Sequence, residues 1–279
     1  MMNVEALVYE IRRQAPEMEV SVNYVQKGKL TLTGISIGNG AVRPTLYMEH
    51  FVQEYLSNGY TRLAMKMINI AKEAMKDRIA TSEINKFASY EYAKDNLRLC
   101  IAPKGTNNDF VTYPFLDLEM YVRVMVESTE SGNASYKVKK GMLESWGITK
   151  RQLLNRAMKC TKPLYNVKTM GEVLYELTGS EMFLDEVEPM IVANTKDNYN
   201  GASVIYFKDI LEKVADKWDD DVIIIPSSIH ECILKPLSGM TVEEVSEIVT
   251  EVNTDVLEAE EILSDHAYVF HRDTMEITW

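Results

Sequence analysis

The chain is poor in the residues that build metal centres, disulfide frameworks and nucleic-acid grips. Its three cysteines, Cys100, Cys160 and Cys232, are odd in number and widely spaced, which fits neither a disulfide scaffold nor a paired zinc motif. Reduced, mostly buried thiols are expected. There are only four histidines, with no His-x-x-x-His pair to set two ring nitrogens on one helix face, so no metal and no cofactor is expected. No apolar run approaches the roughly 20 residues of a membrane-crossing helix. The opening Met-Met-Asn-Val-Glu is not a basic segment followed by an apolar one, so the expectation is a cytoplasmic protein with no membrane partner. Repeats of fixed period and low-complexity linkers are also missing.

Basic residues are in deficit, with 30 Lys and Arg against 42 Asp and Glu and a formal charge of −12. Neutralising phosphates takes clustered cations, so direct nucleic-acid binding is not expected. The deficit is uneven. Between Lys235 and Arg272 there is no Lys or Arg, while Glu243, Glu244, Glu247, Glu251, Asp255, Glu258, Glu260, Glu261 and Asp265 all fall inside. Such a run is most often a solvated helix face. As a functional surface it would attract a basic partner or imitate nucleic-acid phosphates.

The chain has 46% hydrophobic residues over 279 positions, enough for one large domain or two smaller ones. The spacing predicts a helix over 4–11, then a hairpin of strands over 19–25 and 30–37 joined at 26–29, with Asn39-Gly40 as a turn pair. Helices are expected over 46–56 and 63–75. Strands are expected over 97–102 and 115–126, the second with Leu118, Met120, Val122 and Val124 inward and Asp117, Glu119, Tyr121 and Arg123 on a polar face. Thr149-Lys-Arg-Gln152 and Thr241-Val-Glu-Glu244 are capping boxes that start helices. Further strands are expected over 190–193, 203–207, 222–225, 229–235, 268–270 and 275–278, with a helix over 210–218. Helices and strands do not alternate regularly, so the class is α+β, with mixed or antiparallel sheets and flanking amphipathic helices. Lys162-Pro163 marks the boundary between lobes 1–165 and 166–279.

Chemistry concentrates in Asp221-Val-Ile-Ile-Ile-Pro-Ser-Ser-Ile-His-Glu-Cys232 and in Leu263-Ser-Asp-His-Ala-Tyr268. His230, Cys232, Ser227 and Ser228 bring together base and nucleophile types. On a strand, His230 and Cys232 would share a face and form a dyad. A histidine on an apolar face is more often a satisfied core residue, and serines after Pro226 are more often turn residues. His230, His266 and His271 with Asp265 or Asp273 have no diagnostic ligand spacing. Gly34, Gly38 and Gly40 lack the lysine of a phosphate loop and read as a strand and its turn. Asp117, Glu119, Tyr121 and Arg123 form a row able to seat a ligand, although such rows are more often solvated and cross-strand paired.

The stretch from Gly201 to Pro236 resembles a family of uncharacterised bacterial proteins, largely clostridial, classed as a domain of unknown function. Gly201-Ala202, the Pro-Ser-Ser-Ile-His-Glu block, Val252-Asn253, Leu-Ser-Asp-His-Ala-Tyr and Arg43-Pro-Thr-Leu-Tyr47 carry the likeness across most of the chain. Phe115-Leu116, Trp146-Gly147 and Ile225 to Ser227 are similar to blocks of a second uncharacterised bacterial family. The resemblance implies the fold and a bacterial cytoplasmic setting, and brings no activity or catalytic residue.

The leading expectation is a non-catalytic interaction or regulatory protein, in one version a mobile-element protein that blocks a nucleic-acid-binding factor. Its surface would comprise Glu243, Glu244, Glu247, Glu251, Glu258 and Glu261, and its partner would be a protein. The competing expectation is a hydrolase or transferase using His230 with Cys232, Ser227 or Ser228. A subunit of a larger assembly is the third.

Overall fold

The computed structural model describes residues 2–27, 30–39, 43–75, 86–129, 132–184, 189–255 and 257–279. The chain forms two compact units, Met1–Ala88 and Ser89–Trp279.

The first unit opens with helix α1 (Val4–Gln14), whose start is fixed by Asn3 accepting the Ala6 N–H at 2.9 Å. Strands β1 (Glu19–Lys27) and β2 (Leu30–Gly38) form the expected antiparallel hairpin, in register from Glu19 opposite Gly38 to Lys27 opposite Leu30. The middle of the 26–29 turn, and Gly40 of the Asn39-Gly40 pair, lie outside the described residues. The helix expected over 46–56 begins later. Leu46 pairs with Ile35 in the short strand β3 (Thr45–Tyr47), Met48–Phe51 is a 3-10 turn, and helix α2 runs over Val52–Ala74, broken at Gly59 with φ 68°. Pairing to an existing strand outweighs local helical spacing here. Leu7, Ile11, Ile35, Ile37, Leu63 and Met67 close this unit's core.

The second unit holds two antiparallel sheets over one hydrophobic core. The smaller contains β4 (Leu97–Pro103), β5 (Thr112–Phe115), β6 (Leu118–Thr129) and β7 (Gly132–Lys137); β6 is central, with β4 on one edge and β5 and β7 on the other. The single strand expected over 115–126 is divided at Leu116, where φ is 53°, so Asp117 sits in a turn.

The larger sheet has the order β13-β12-β10-β11-β9-β8, with β8 Tyr165–Thr169, β9 Ile191–Thr195, β10 Val222–Pro226, β11 Cys232–Pro236, β12 Tyr268–His271 and β13 Glu276–Thr278. Leu99, Ile101, Met120 and Val122 of the smaller sheet share a core with Ala193, Ile224, Leu234 and Phe270 of the larger. Position 165, where the lobe boundary was expected, therefore falls inside the second unit.

Helices α3 (Tyr90–Ala93), α4 (Lys140–Trp146), α5 (Lys150–Thr161), α6 (Met170–Thr178), α7 (Lys208–Trp218) and α8 (Val242–Asp255) complete the unit. The predicted capping boxes form: Gln152 N–H reaches Thr149 at 3.2 Å and Glu244 N–H reaches Thr241 at 3.2 Å. Thr169 and Glu172 make another at the start of α6. The strand expected over 203–207 is instead a 3-10 turn, Gly201–Tyr206, entered from Asn200 in the left-handed region with φ 55°. That turn covers the free edge of β4. Ser203 Oγ donates to Leu99 O at 2.8 Å, and Thr161 Oγ1 accepts the Leu99 N–H at 2.8 Å, so side chains satisfy the edge in place of another strand.

Candidate functional site

Strand β11 starts at Cys232, so His230 lies in the bend before it and not on the strand expected over 229–235. This bend is a hydrogen-bonded clamp. Ser228 Oγ accepts the His230 N–H at 2.9 Å, and His230 O and Ile229 O accept the Gly201 and Ala202 N–H groups at 2.8 and 3.3 Å. The Ile229 N–H donates to Glu261 O at 2.9 Å. His230 Nδ1 accepts the Asn200 N–H at 3.1 Å, which assigns the ring proton to Nε2, 3.8 Å from Glu261 Oε1. Gly201 fits because it has no Cβ: one placed there would stand 2.5 Å from His230 O and 2.6 Å from Thr195 N.

Each expected catalytic side chain has a partner other than the one a dyad needs. Cys232 is fully buried and its thiol donates to Ala202 O at 3.7 Å. Burial pushes that thiol well above its ordinary range, so it is protonated at neutral pH and a poor nucleophile. Ser228 is 7% exposed, and Ser227 Oγ donates to Glu231 Oε1 at 3.3 Å. Cys100 is likewise buried, its thiol raised by burial to about 11. An open pocket of about 580 Å³ lies elsewhere, between α5 and the start of α7, lined by Met158, Lys159, Lys162, Phe207 and Lys208 among others.

His266 and His271 do not meet His230. His266 Nε2 lies 3.0 Å from Asp117 Oδ2, whose other oxygen accepts from Tyr268 OH at 2.9 Å, tying the turn before β6 to β12. His271 Nδ1 lies 2.8 Å from Asp221 Oδ2, beside the start of β10.

Two charged surfaces remain. On α8, Val245 and Val249 face inward, with Val245 clustered with Ile223 and Ala267. Outward stand Glu243, Glu247 and Glu251, with Ile248 57% and Val252 39% exposed beside Glu244 and Glu251. No Lys or Arg nitrogen among the described residues lies within 4 Å of Glu243, Glu247, Glu251 or Glu258.

The second surface is the face of β6 that sequence spacing marked as polar. It is largely covered: Glu119 is 7% and Tyr121 5% exposed. Glu119 accepts the Asn107 and Gly105 N–H groups at 2.8 and 3.1 Å. Arg123 stands opposite Arg98 of β4 and Lys137 of β7, which sequence spacing had no means of showing.

Residues 3–272 match the model of a family of unknown function, DUF5688. The chain belongs to that family. The DUF5688 match takes in both compact units, the clamp around His230 and all of α8. No curated protein and no solved structure matches the chain. Membership in DUF5688 carries no activity to this chain, and no helix among its described residues is long and apolar enough to cross a membrane.

Proposed function

We propose that this DUF5688 protein is a non-catalytic interaction protein that docks a basic protein segment on the outward face of α8. The observation that carries the reading is the pairing of exposed Ile248 and Val252 with Glu243, Glu244, Glu247 and Glu251 on a helix with no cation of its own. Glu243, Glu247, Glu251 and Asp255 recur at four-residue spacing, where like charges repel. A basic partner relieves that repulsion, while Ile248 and Val252 supply apolar area for it to cover. The formal charge of −12 adds long-range attraction and faster encounter with such a partner. The buried, protonated Cys232 thiol and the backbone-engaged His230 favour this reading over hydrolysis or group transfer.

The test compares proteins retained from the native host by the wild-type chain, by Glu243→Lys/Glu247→Lys/Glu251→Lys and by Ile248→Asp. A basic protein held by the wild type, lost from both variants and released at high salt is expected. Identical retention by all three, or retention indifferent to salt, overturns the reading.

A further inference from the structure

We infer that the covered face of the smaller sheet in the second unit is a binding site for a phosphate-class oxyanion, centred on Arg123 and bordered by Arg98 and Lys137. The three cations are cross-strand neighbours: Arg98 pairs with Arg123, and Arg123 with Lys137, on adjacent antiparallel strands. Such strands lie about 4.8 Å apart, and like charges directly opposite destabilise a sheet. Like charges in a row need counter-charge, and among the described residues no carboxylate lies within 4 Å of the central Arg123 guanidinium.

Asp197 serves Arg98 alone, through a two-point contact of 3.0 and 2.9 Å, with Tyr199 O accepting a further bond at 2.9 Å. Glu119, on the same face, is occupied by the 105–107 loop, accepting from Gly105 N, Asn107 N and Asn107 Nδ2. Lys137 Nζ donates to Asn107 Oδ1 at 2.6 Å and stands 4.9 Å from the Tyr121 ring centre. Arg123 Nε donates to Ser135 Oγ at 2.9 Å, and no carboxylate among the described residues lies within 4 Å of its guanidinium.

A second observation points to a missing acceptor. The Arg98 side chain is 6% exposed, yet its Nε is buried with no hydrogen-bond partner among the described residues. Native proteins leave few buried donors unpaired, and this one belongs to the cation directly across the ladder from Arg123. The Arg123 guanidinium is also held in place, with its Nε tied to Ser135 and its carbon 6.0 Å from the Tyr199 ring centre. A fixed planar fork beside an ammonium group suits two or more oxygens of a doubly charged tetrahedral anion better than a single carboxylate. Tyr199 is in turn 5.7 Å from the His230 ring. This site is independent of the α8 surface.

Inorganic phosphate and phenyl phosphate, each titrated against chloride at matched ionic strength, test the assignment by thermal unfolding and calorimetry. A saturable, phosphate-specific rise in Tm is expected, with Arg123→Gln weakening binding at least about tenfold, as loss of a charged hydrogen-bond partner does. In phosphate-free buffer Arg123→Gln is expected to unfold at a Tm no lower than the wild type, since it relieves repulsion in the row. Tighter binding of phenyl phosphate identifies a phosphomonoester as the ligand class, and equal binding identifies free phosphate. Absence of a phosphate-specific shift in the wild type, or the same affinity in Arg123→Gln, overturns the proposal. Lys137→Gln, which keeps a donor for Asn107, carries the same test if Arg123→Gln does not fold.

Discussion

At the scale of single residues, charge is placed where it has a partner in the fold or is left facing water, and the two cases behave differently with pH. Glu10 in α1 is the clearest paired case. Its carboxylate accepts from Arg13 at 2.6 and 3.0 Å and from Gln14 at 2.9 Å. These bonds, Arg13's first, lower it from an ordinary 4.5 to about 2. A carboxyl depressed in the folded state stabilises above its unfolded value, and that stability is lost as pH falls toward the folded value. The window is therefore from about 4.5 down to about 2. Urea unfolding followed by circular dichroism should show the wild type more stable than Glu10→Gln at pH 6, with the gap closing as pH approaches 2.5. A gap of constant size across that range would place the stabilisation elsewhere. Circular dichroism is the right probe because Trp146, Trp218 and Trp279 all lie in the second unit, leaving the first without tryptophan.

At the scale of elements, Gly201 shows how the Gly-Ala and Pro-Ser-Ser-Ile-His-Glu blocks depend on each other. They are separated in sequence but meet through the Gly201 N–H to His230 O bond of 2.8 Å, and a methyl at Gly201 would press on backbone atoms from two sides. Backbone cannot rotate away as a side-chain tip can, so Gly201→Ala should cost about 1–3 kcal/mol, the range of an overpacked core. Its urea midpoint, measured by tryptophan fluorescence, checks this, and Ala202→Gly serves as a nearby comparison with no added bulk. The capping boxes at Thr149 and Thr241 were legible in the sequence because both partners lie within one helical turn. The 3-10 turn over 201–206 was not, because its apolar run Ala202, Val204 and Ile205 has no helical period. Asn200's left-handed backbone, the close approach at Gly201 and the Ser203 hydroxyl bond to Asn200 O at 3.1 Å hold it curled. Strands β7 and β8 escaped for a related reason: Asn133-Ala-Ser-Tyr-Lys137 and Tyr165-Asn-Val-Lys-Thr169 carry too few apolar residues to show alternation. The cation row was hidden most thoroughly, because cross-strand register between β4, β6 and β7 is set by tertiary pairing that a local pattern does not encode.

At the scale of the whole molecule, two groups of like charge sit on different faces of the second unit, beside ordinary ion pairs such as Arg98 with Asp197. The uncompensated carboxylates lie on the exposed face of α8, while Arg98, Arg123 and Lys137 lie on a sheet face that is largely covered. On the two proposals above, one unit would offer a broad acidic surface to a protein and a small cationic site to an anion, each governed by a different range of electrostatics. Exposed charges act over distance and weaken with salt, whereas the anion site would act through short, oriented hydrogen bonds. Both features, and the clamp around His230, belong to the part of the chain from Ser89 onward. Its core shares no residue with that of Met1–Ala88. A chain of residues 89–279 should therefore fold by itself, with one cooperative urea transition by tryptophan fluorescence and a midpoint matching the full protein's fluorescence transition. Loss of cooperativity in that shorter chain would mean that the first unit supplies stability that the separation of the two cores does not reveal. A matching midpoint would assign the first unit a role other than holding the second together.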